Sequence, residues 1–188
     1  MPSITQTPAT FTSDPSAGTA AWATPTGALA SDDSYAVASV EGLGSSQRLR
    51  GVGPAFAGIP AGSAIVGIEV LVEAAADTSG GAVFEFAEVS LVVAGSVAGS
   101  NRGGAAMQDG GDSDPVYTFG GASDLWGLAP SLAQVQAADF GCVVRVAETS
   151  GGTELASVSI DHVEMRVYYA QPSGVSRTAI SLGIGIGL

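Results

Sequence analysis

The residues best suited to chemistry in this sequence are acidic side chains on one glycine-rich loop. The stretch DGGDSD brings three aspartates close together along the chain: Asp109, Asp112 and Asp114. Carboxylate oxygens are preferred calcium ligands, so this loop is a candidate calcium site. It lacks the alternating acids and the final glutamate of an EF-hand loop. A solvated acidic loop explains the stretch more simply, so we expect no metal and no cofactor.

Catalytic groups are sparse. His162 is the single histidine, and on a strand its neighbour Asp161 would face the opposite side. The chain has no Gly-x-Ser-x-Gly elbow. With no lysine, neither Schiff-base chemistry nor a phosphate-binding P-loop is available. The sequence therefore predicts a non-enzymatic protein, with a hydrolase that uses His162 as a distant alternative.

Aromatic side chains are the second kind of candidate binding group, because exposed rings can stack on sugars. Four are placed where a β-sandwich could present them: Trp22, Tyr35, Tyr117 and Trp126. Aromatic residues make up only 6% of the chain, and a sandwich needs most of them in its core. A glycan site built from Trp126, Tyr117 and the 95–115 loop remains the alternative to core packing.

The charge balance excludes several partners. Eighteen acidic residues face six arginines, which gives a formal net charge of −12. Such a surface repels nucleic-acid phosphates and anionic membranes, so neither is expected as a partner. The first residues lack the basic and apolar regions of a signal peptide, and Glu69 and Glu73 interrupt the longest apolar run. We expect synthesis in a cytoplasm and no membrane span.

The elements that would position these residues are strands. Residues 64–74 alternate apolar and polar side chains with the period of two that is typical of a half-buried antiparallel strand. In 83–95 and 154–170 the apolar phase changes, which predicts β-bulges near Ala87 and Asp161. The lone Cys142 shares a strand face with Val144 and Val146, so we expect a buried, inert thiol. One or two helical turns are expected after Pro130.

About seven or eight strands with glycine-rich turns predict an all-β fold, an antiparallel β-sandwich of jelly-roll-like design. An open barrel is the alternative. Residues 1–20 are rich in Ser, Thr, Pro and Ala without a period, and predict an extended N-terminal arm. The sandwich is expected over 21–170, and an apolar C-terminal arm over 171–188.

The C-terminal sequence TAISLGIGIGL (178–188) alternates large aliphatic residues with small ones. Its aliphatic members are Ile180, Leu182, Ile184, Ile186 and Leu188. Such a segment can add a strand to the sheet edge of a neighbouring subunit, and alternate glycines allow close backbone approach. These five residues are the predicted partner-binding set. The alternative is a tail that folds back on its own sandwich.

Several short motifs resemble a domain found in virion structural proteins of tailed bacteriophages. In chain order they are WATP (22–25), DDSYA (32–36), IPAGSAIVGIEVLV (59–72), DLWG (124–127), DFG (139–141) and VYYA (167–170). The resemblance covers roughly residues 20–170, and the IPAGSAIVGIEV block is its most specific part.

This resemblance implies a β-sandwich on a phage particle, without saying whether it lies on the head, neck or tail. Together with the acidic charge and the apolar tail, it leads us to expect a capsid decoration or cement protein located in the virion. Its partners would be other copies of itself, in a homo-oligomer, and capsid or other virion proteins. A glycan- or receptor-binding module of a phage fibre, spike or tail is the alternative.

Overall fold

The chain is all-β, in agreement with the sequence prediction. The computed structural model describes residues 1–77, 81–108, 114–151 and 155–172. Within these ranges the strands are β1 (Ser3–Gln6), β2 (Thr10–Asp14), β3 (Trp22–Ala23), β4 (Ala36–Glu41), β5 (Arg48–Val52), β6 (Ala64–Ala76), β7 (Phe84–Val93), β8 (Ser96–Ala98), β9 (Val116–Gly121), β10 (Gly141–Glu148) and β11 (Leu155–Ala170). A 3₁₀ turn spans Pro25–Ala28, and a short helix, α1, spans Leu132–Val135.

The strands form two antiparallel sheets, which fits the predicted β-sandwich. The first sheet has the order β3-β4-β11-β6-β9, and β1 also pairs with β11. The second sheet has the order β2-β5-β10-β7-β8. The sixteen-residue β11 is long enough to pair with β4 through its first half and with β1 through its last residues, while β6 covers its other edge.

The core lies between the two sheets and is built from alternate residues of each strand. On β6, Ile68, Val70 and Val72 are wholly buried, as the period of two predicts. Phe86 of β7 meets Phe119 of β9 edge to face, with ring centroids 5.0 Å apart. Cys142 is fully buried as predicted, and desolvation raises the pKa of its thiol to about 12, so the thiol stays protonated and unreactive.

Both predicted bulges are confirmed. Arg145 of β10 pairs with Glu88 of β7, but the next residue, Val146, pairs with Phe86, so Ala87 is the extra residue. In β11, Ile160 pairs with Ala74 and His162 with Glu73, which makes Asp161 the extra residue. A bulge bends its strand and changes the direction of a side chain.

The N-terminal residues differ from the prediction. Instead of forming an extended arm, residues 1–20 include β1, which pairs with β11, and β2, which pairs with β5. Phe11 of β2 enters the core and is 5% exposed. Polar, period-free sequence predicted a leader here, but long-range pairing gives these backbone groups partners in both sheets. The sandwich therefore begins at Ser3.

Two connections also refine the prediction. The 95–115 loop contains β8, which makes a tight hairpin with β7. The expected helical turn after Pro130 is α1, and its N-cap Ser131 forms a capping box with Gln134. None of the helices in the described ranges has the length and apolar character needed to cross a membrane.

Candidate functional site

A cluster of three carboxylates is the main concentration of chemical groups among the described residues. Asp33, Asp114 and Asp161 each place a carboxylate oxygen so that all three lie within 4.8 Å of one another. The three come from the loop before β4, the residues just before β9, and β11. Asp161 is buried, Asp114 is half-buried and Asp33 is exposed, so the cluster opens to solvent on one side.

The bulge in β11 positions Asp161. Regular alternation would bury one of two consecutive residues, but Ile160 and Asp161 are both buried, at 0% and 2% exposure. Because the extra residue breaks the alternation, Ile160 stays in the core and Asp161 turns toward the 31–34 loop. There the Asp161 Oδ1 accepts a long hydrogen bond of 3.4 Å from the Asp32 backbone N–H.

The loop before β4 holds the second carboxylate in a constrained conformation. Asp33 has a φ of 61°, in the left-handed region that non-glycine residues seldom adopt. An Asx turn, in which the Ser34 N–H donates to the Asp32 Oδ1 at 3.1 Å, fixes the residues around it. The aspartate therefore has its direction set by backbone geometry.

Tyr35 links the third carboxylate to this loop. Its hydroxyl donates to the Asp114 Oδ2 at 2.7 Å and lies 3.4 Å from the Asp33 Oδ1. The hydrogen bond to Asp114 raises the pKa of Tyr35, so the phenol stays protonated. A half-exposed aromatic ring thus stands beside the acidic cluster.

The cluster carries uncompensated negative charge. Burial raises the pKa of Asp161 above its ordinary value, and the charges of Glu73, Asp114 and Asp33 raise it further, while the Asp32 N–H opposes them. The five arginines of the described ranges are paired with other carboxylates. These pairs are Arg48 and Arg145 with Glu88, Arg50 with Asp14, Arg102 with Asp124, and Arg166 with Glu69.

Three convergent carboxylates are the donor set of a hard divalent cation such as calcium. The sequence placed its calcium candidates on one loop, and the structure brings Asp114 of that set into the cluster. Asp109 and Asp112 lie outside the described residues. Asp33 and Asp161 were missed because they are far from Asp114 along the chain and only the strand pairing unites them. The one local signal was the predicted bulge at Asp161.

His162 lies near the cluster but faces the other side of β11. Its Nε2 is 2.9 Å from the Thr7 Oγ1. A shallow depression beside it, lined also by Glu73, Val116 and Glu164, has a volume of about 40 Å³. That is room for about one or two water molecules and not for an organic substrate.

The two tryptophan candidates for sugar stacking are buried, whereas Tyr35 and Tyr117 are half-buried. Trp126 is 0% exposed, and its indole N–H donates to the Ile68 carbonyl at 2.9 Å. Trp22 is also buried, and Tyr117 packs edge to face on Phe86 at 4.8 Å. The predicted glycan platform at Trp126 is therefore wrong, because neither face of that ring is available to a ligand.

Comparisons with other proteins add no family to these observations. No protein-family model matches the chain, and no curated protein or solved structure matches it. A function for this chain is therefore inferred from its own residues and fold.

The predicted partner-binding residues Ile180, Leu182, Ile184, Ile186 and Leu188 lie outside the described residues. Their role remains a prediction from the sequence. The described chain leads to them through Pro172, two residues after β11 ends at Ala170.

Proposed function

We propose that this protein is a non-enzymatic structural component of a tailed-phage particle, a decoration or cement protein on the capsid. It would be made in the host cytoplasm and located in the virion, with other copies of itself and capsid or other virion proteins as partners. The short motifs between residues 22 and 170 that resemble phage virion domains support this role. The remaining support comes from strand order and charge.

The observation that carries the proposal is the nested pairing of eight strands. β4 pairs with β11, β5 with β10, β6 with β9, and β7 with β8. This is the pattern of one long hairpin, closed at β7–β8 and wrapped so that its strands are shared between two sheets. It supports a jelly-roll topology, an architecture that viral capsid domains use.

The distribution of charge supports assembly through uncharged segments. With arginines engaged in ion pairs and a net charge of −12, two copies repel each other across most of their surfaces. Residues 178–188 carry no charged side chain. Each of their five large aliphatic side chains gains about 1.5–3 kcal/mol when fully buried. Ordering the segment costs roughly 1–2 kcal/mol per residue, so strand hydrogen bonds and cooperation between many copies are also needed.

Deleting residues 178–188 tests the arm. We expect the thermal melting of the truncated chain to remain nearly unchanged, because all eleven strands of the described ranges lie between Ser3 and Ala170. Self-association and particle binding should weaken strongly. Unfolding of the truncated chain, or assembly as good as that of the full chain, contradicts the proposal that residues 178–188 form an assembly arm.

The location of the protein on the particle tests the role itself. Quantitative mass spectrometry of purified virions should give a copy number that matches the symmetry axes of the capsid, and an electron-microscopy map should place the sandwich on the head. A handful of copies per virion would move it to the neck or tail. Its absence from particles would overturn the proposal.

A receptor- or glycan-binding module of a fibre, spike or tail is the second candidate, favoured by the acidic cluster beside Tyr35. Jelly rolls also occur in lectins, and a cation held by Asp33, Asp114 and Asp161 could bind sugar hydroxyls next to the aromatic ring. A glycan array, screened with and without calcium, separates the candidates. Calcium-dependent binding that Asp161→Asn abolishes in a folded protein favours the module, and no binding favours the decoration role.

A further inference from the structure

An apolar groove runs along β8, at one edge of the second sheet. One wall is formed by Val93, Ala94 and Ala98 of the β7–β8 hairpin, and the other by the segment 128–134. The groove has a volume of about 230 Å³, and its lining contains no charged side chain. A cavity of about 150 Å³ holds a benzene ring, so this groove has room for one or two aliphatic side chains.

The register of the hairpin leaves backbone groups of β8 directed away from β7. Ala94 and Gly95 have φ values of 51° and 72°, as a two-residue type I′ turn requires. Val93 and Ser96 close that turn as a hydrogen-bonded pair, and Val92 and Val97 form the next pair. In an antiparallel ladder that next pair is not hydrogen-bonded, so the N–H and C=O of Val97 point away from β7.

The hairpin is held firmly in this position. Arg50 donates to the Gly95 carbonyl at 2.6 Å, which anchors the turn. At the other end of β8, the Ser100 N–H donates to the Trp126 carbonyl at 2.8 Å, which fixes β8 to the start of the opposite wall. The edge of β8 and the groove beside it are therefore already formed before an incoming strand binds.

Two of the other edges have acidic side chains on or beside the edge strand. Register places Glu69 and Glu73 of β6 directly opposite Gly120 and Val116 of the edge strand β9. The edge strand β2 ends at Asp14, 3.8 Å from Arg50. Charged side chains at an edge block pairing with another chain. β8 and the groove lining contain no charged side chain, and the apolar groove beside β8 offers room for the side chains of an added strand.

The described chain ends on the same side of the sandwich as the groove. After β11, Pro172 lies beside Gly62 in the loop that precedes β6. The neighbouring part of that loop is tied to the end of α1, since Gln136 donates to the Phe56 carbonyl at 3.1 Å. Gln134 of α1 lines the groove. Sixteen residues follow Pro172, and at about 3.3 Å each they can span roughly 50 Å, enough to reach a neighbouring copy.

We propose that the groove along β8 is the acceptor for residues 178–188 of a second copy of this chain, an inference that rests on the proposed assembly function. The incoming segment pairs with Val97 through its backbone and places alternate aliphatic side chains in the groove. The glycines of the incoming segment lie on its opposite face, where they allow another backbone to approach closely. This is strand addition, in which main-chain hydrogen bonds supply affinity and pockets for alternate side chains supply specificity. Both surfaces are uncharged, so two strongly acidic molecules can meet there.

Disulfide trapping between two full-length variants tests the contact. One variant carries Ser96→Cys on β8 and the other Ser181→Cys in the tail, and the buried native Cys142 does not interfere. Under mild oxidation we expect a mixed dimer in several-fold higher yield than with Ser39→Cys, a serine on β4 of the first sheet that is also exposed. Equal yields from Ser96→Cys and Ser39→Cys overturn the proposal.

A single chain that carries both cysteines distinguishes a neighbour's tail from the chain's own. At high dilution, we expect little intramolecular disulfide. Efficient closure within one chain at every dilution means that the tail folds back on its own groove, and overturns the exchange between copies.

A matched pair of charge substitutions at exposed alanines tests whether the groove mediates self-association without disturbing the core. Ala129 and Ala133 are both exposed, but only Ala129 lines the groove. In sedimentation velocity, Ala129→Asp should weaken self-association by about tenfold or more, because it places a carboxylate where apolar side chains dock. Ala133→Asp should change it by less than about twofold. Equal effects of the two substitutions overturn the proposal.

The outcomes also separate this proposal from the proposed function. A chain that self-associates and binds particles, but gives no Ser96–Ser181 crosslink, leaves the assembly role standing and removes β8 as the acceptor. A chain that stays monomeric and is absent from particles removes both.

Discussion

Two buried carboxylates lie at two of the β-bulges, and their surroundings are opposite. Glu88 follows the bulged Ala87 in β7, and both its oxygens accept hydrogen bonds of 2.8 Å from Arg48, with Arg145 at 3.5 Å. Asp161 is itself the bulged residue of β11, and it accepts one hydrogen bond of 3.4 Å while facing other carboxylates.

The difference separates a structural charge from one that is available for binding. Glu88 is satisfied by arginines of its own sheet, so a further ligand gains nothing there. Asp161 is desolvated beside like charges, a combination typical of functional sites and relieved by a proton or a cation. A β-bulge therefore lies at both carboxylates, but arginines satisfy Glu88, whereas Asp161 remains available to a proton or a cation.

The largest effect is expected from breaking the satisfied site. Glu88→Gln removes the negative charge between Arg48 and Arg145, and we expect it to lower the free energy of unfolding by about 2–3 kcal/mol. Urea unfolding measures the change. Glu85→Gln, on the same strand but half-exposed, should stay within about 0.5 kcal/mol. A cost below that of Glu85→Gln would remove the distinction between the two carboxylates.

The open site should respond with the opposite sign. Asp161→Asn keeps the shape of the side chain and removes repulsion, so we expect a gain of about 1 kcal/mol in the free energy of unfolding at pH 7 without divalent cations. Asp139→Asn, an exposed aspartate, is the control and should have little effect. Destabilisation by Asp161→Asn would show that Asp161 is as well satisfied as Glu88.

The pH dependence of stability extends the comparison to a third carboxylate, Asp124. The raised pKa of Asp161 gives a stability contribution that is present below about pH 3.9, the unfolded value, and is lost as pH rises through the folded pKa. The hydrogen bond from Arg102 lowers the pKa of Asp124, so its contribution is present above that value and is lost as pH falls through its folded pKa.

Denaturation at several pH values measures both trends. The gain from Asp161→Asn should grow from near zero at about pH 3.5 to its full size at about pH 7. The loss from Asp124→Asn should already have its full size somewhat above about pH 3.9 and should shrink toward zero as the pH falls through the folded pKa of Asp124. If both variants changed the free energy of unfolding with the same sign and the same pH trend, the assigned directions of the two pKa shifts would be wrong.

The smallest effect is expected from calcium. A site with a Kd of about 1 mM gains about 0.6 kcal/mol at about 2 mM calcium, which is measurable as a small rise in Tm. Sodium chloride at equal ionic strength should give less. Asp161→Asn should abolish the difference, and an equal response of wild type and variant would show that the cluster holds no calcium.

Local patterns in the sequence predicted much of this fold. The alternation in β6 and the phase changes near Ala87 and Asp161 are properties of single strands, so the sequence shows them directly. β1 and β2 were missed because their polar residues form strands only through partners more than thirty residues away. The acidic cluster was missed for the same reason, since the distance from Asp33 to Asp161 is set by topology.

The pairing of β1 with β11 has a consequence for how the chain folds. Ser3 pairs with Tyr168, and β11 pairs with β1, β4 and β6, so the first sheet cannot be completed until residues near 170 have left the ribosome. Pairings of such long sequence separation are slow to form, and partly synthesised chains expose unpaired edges of β4 and β6. Translation rate and chaperone supply should therefore affect the yield of folded protein more than its final stability.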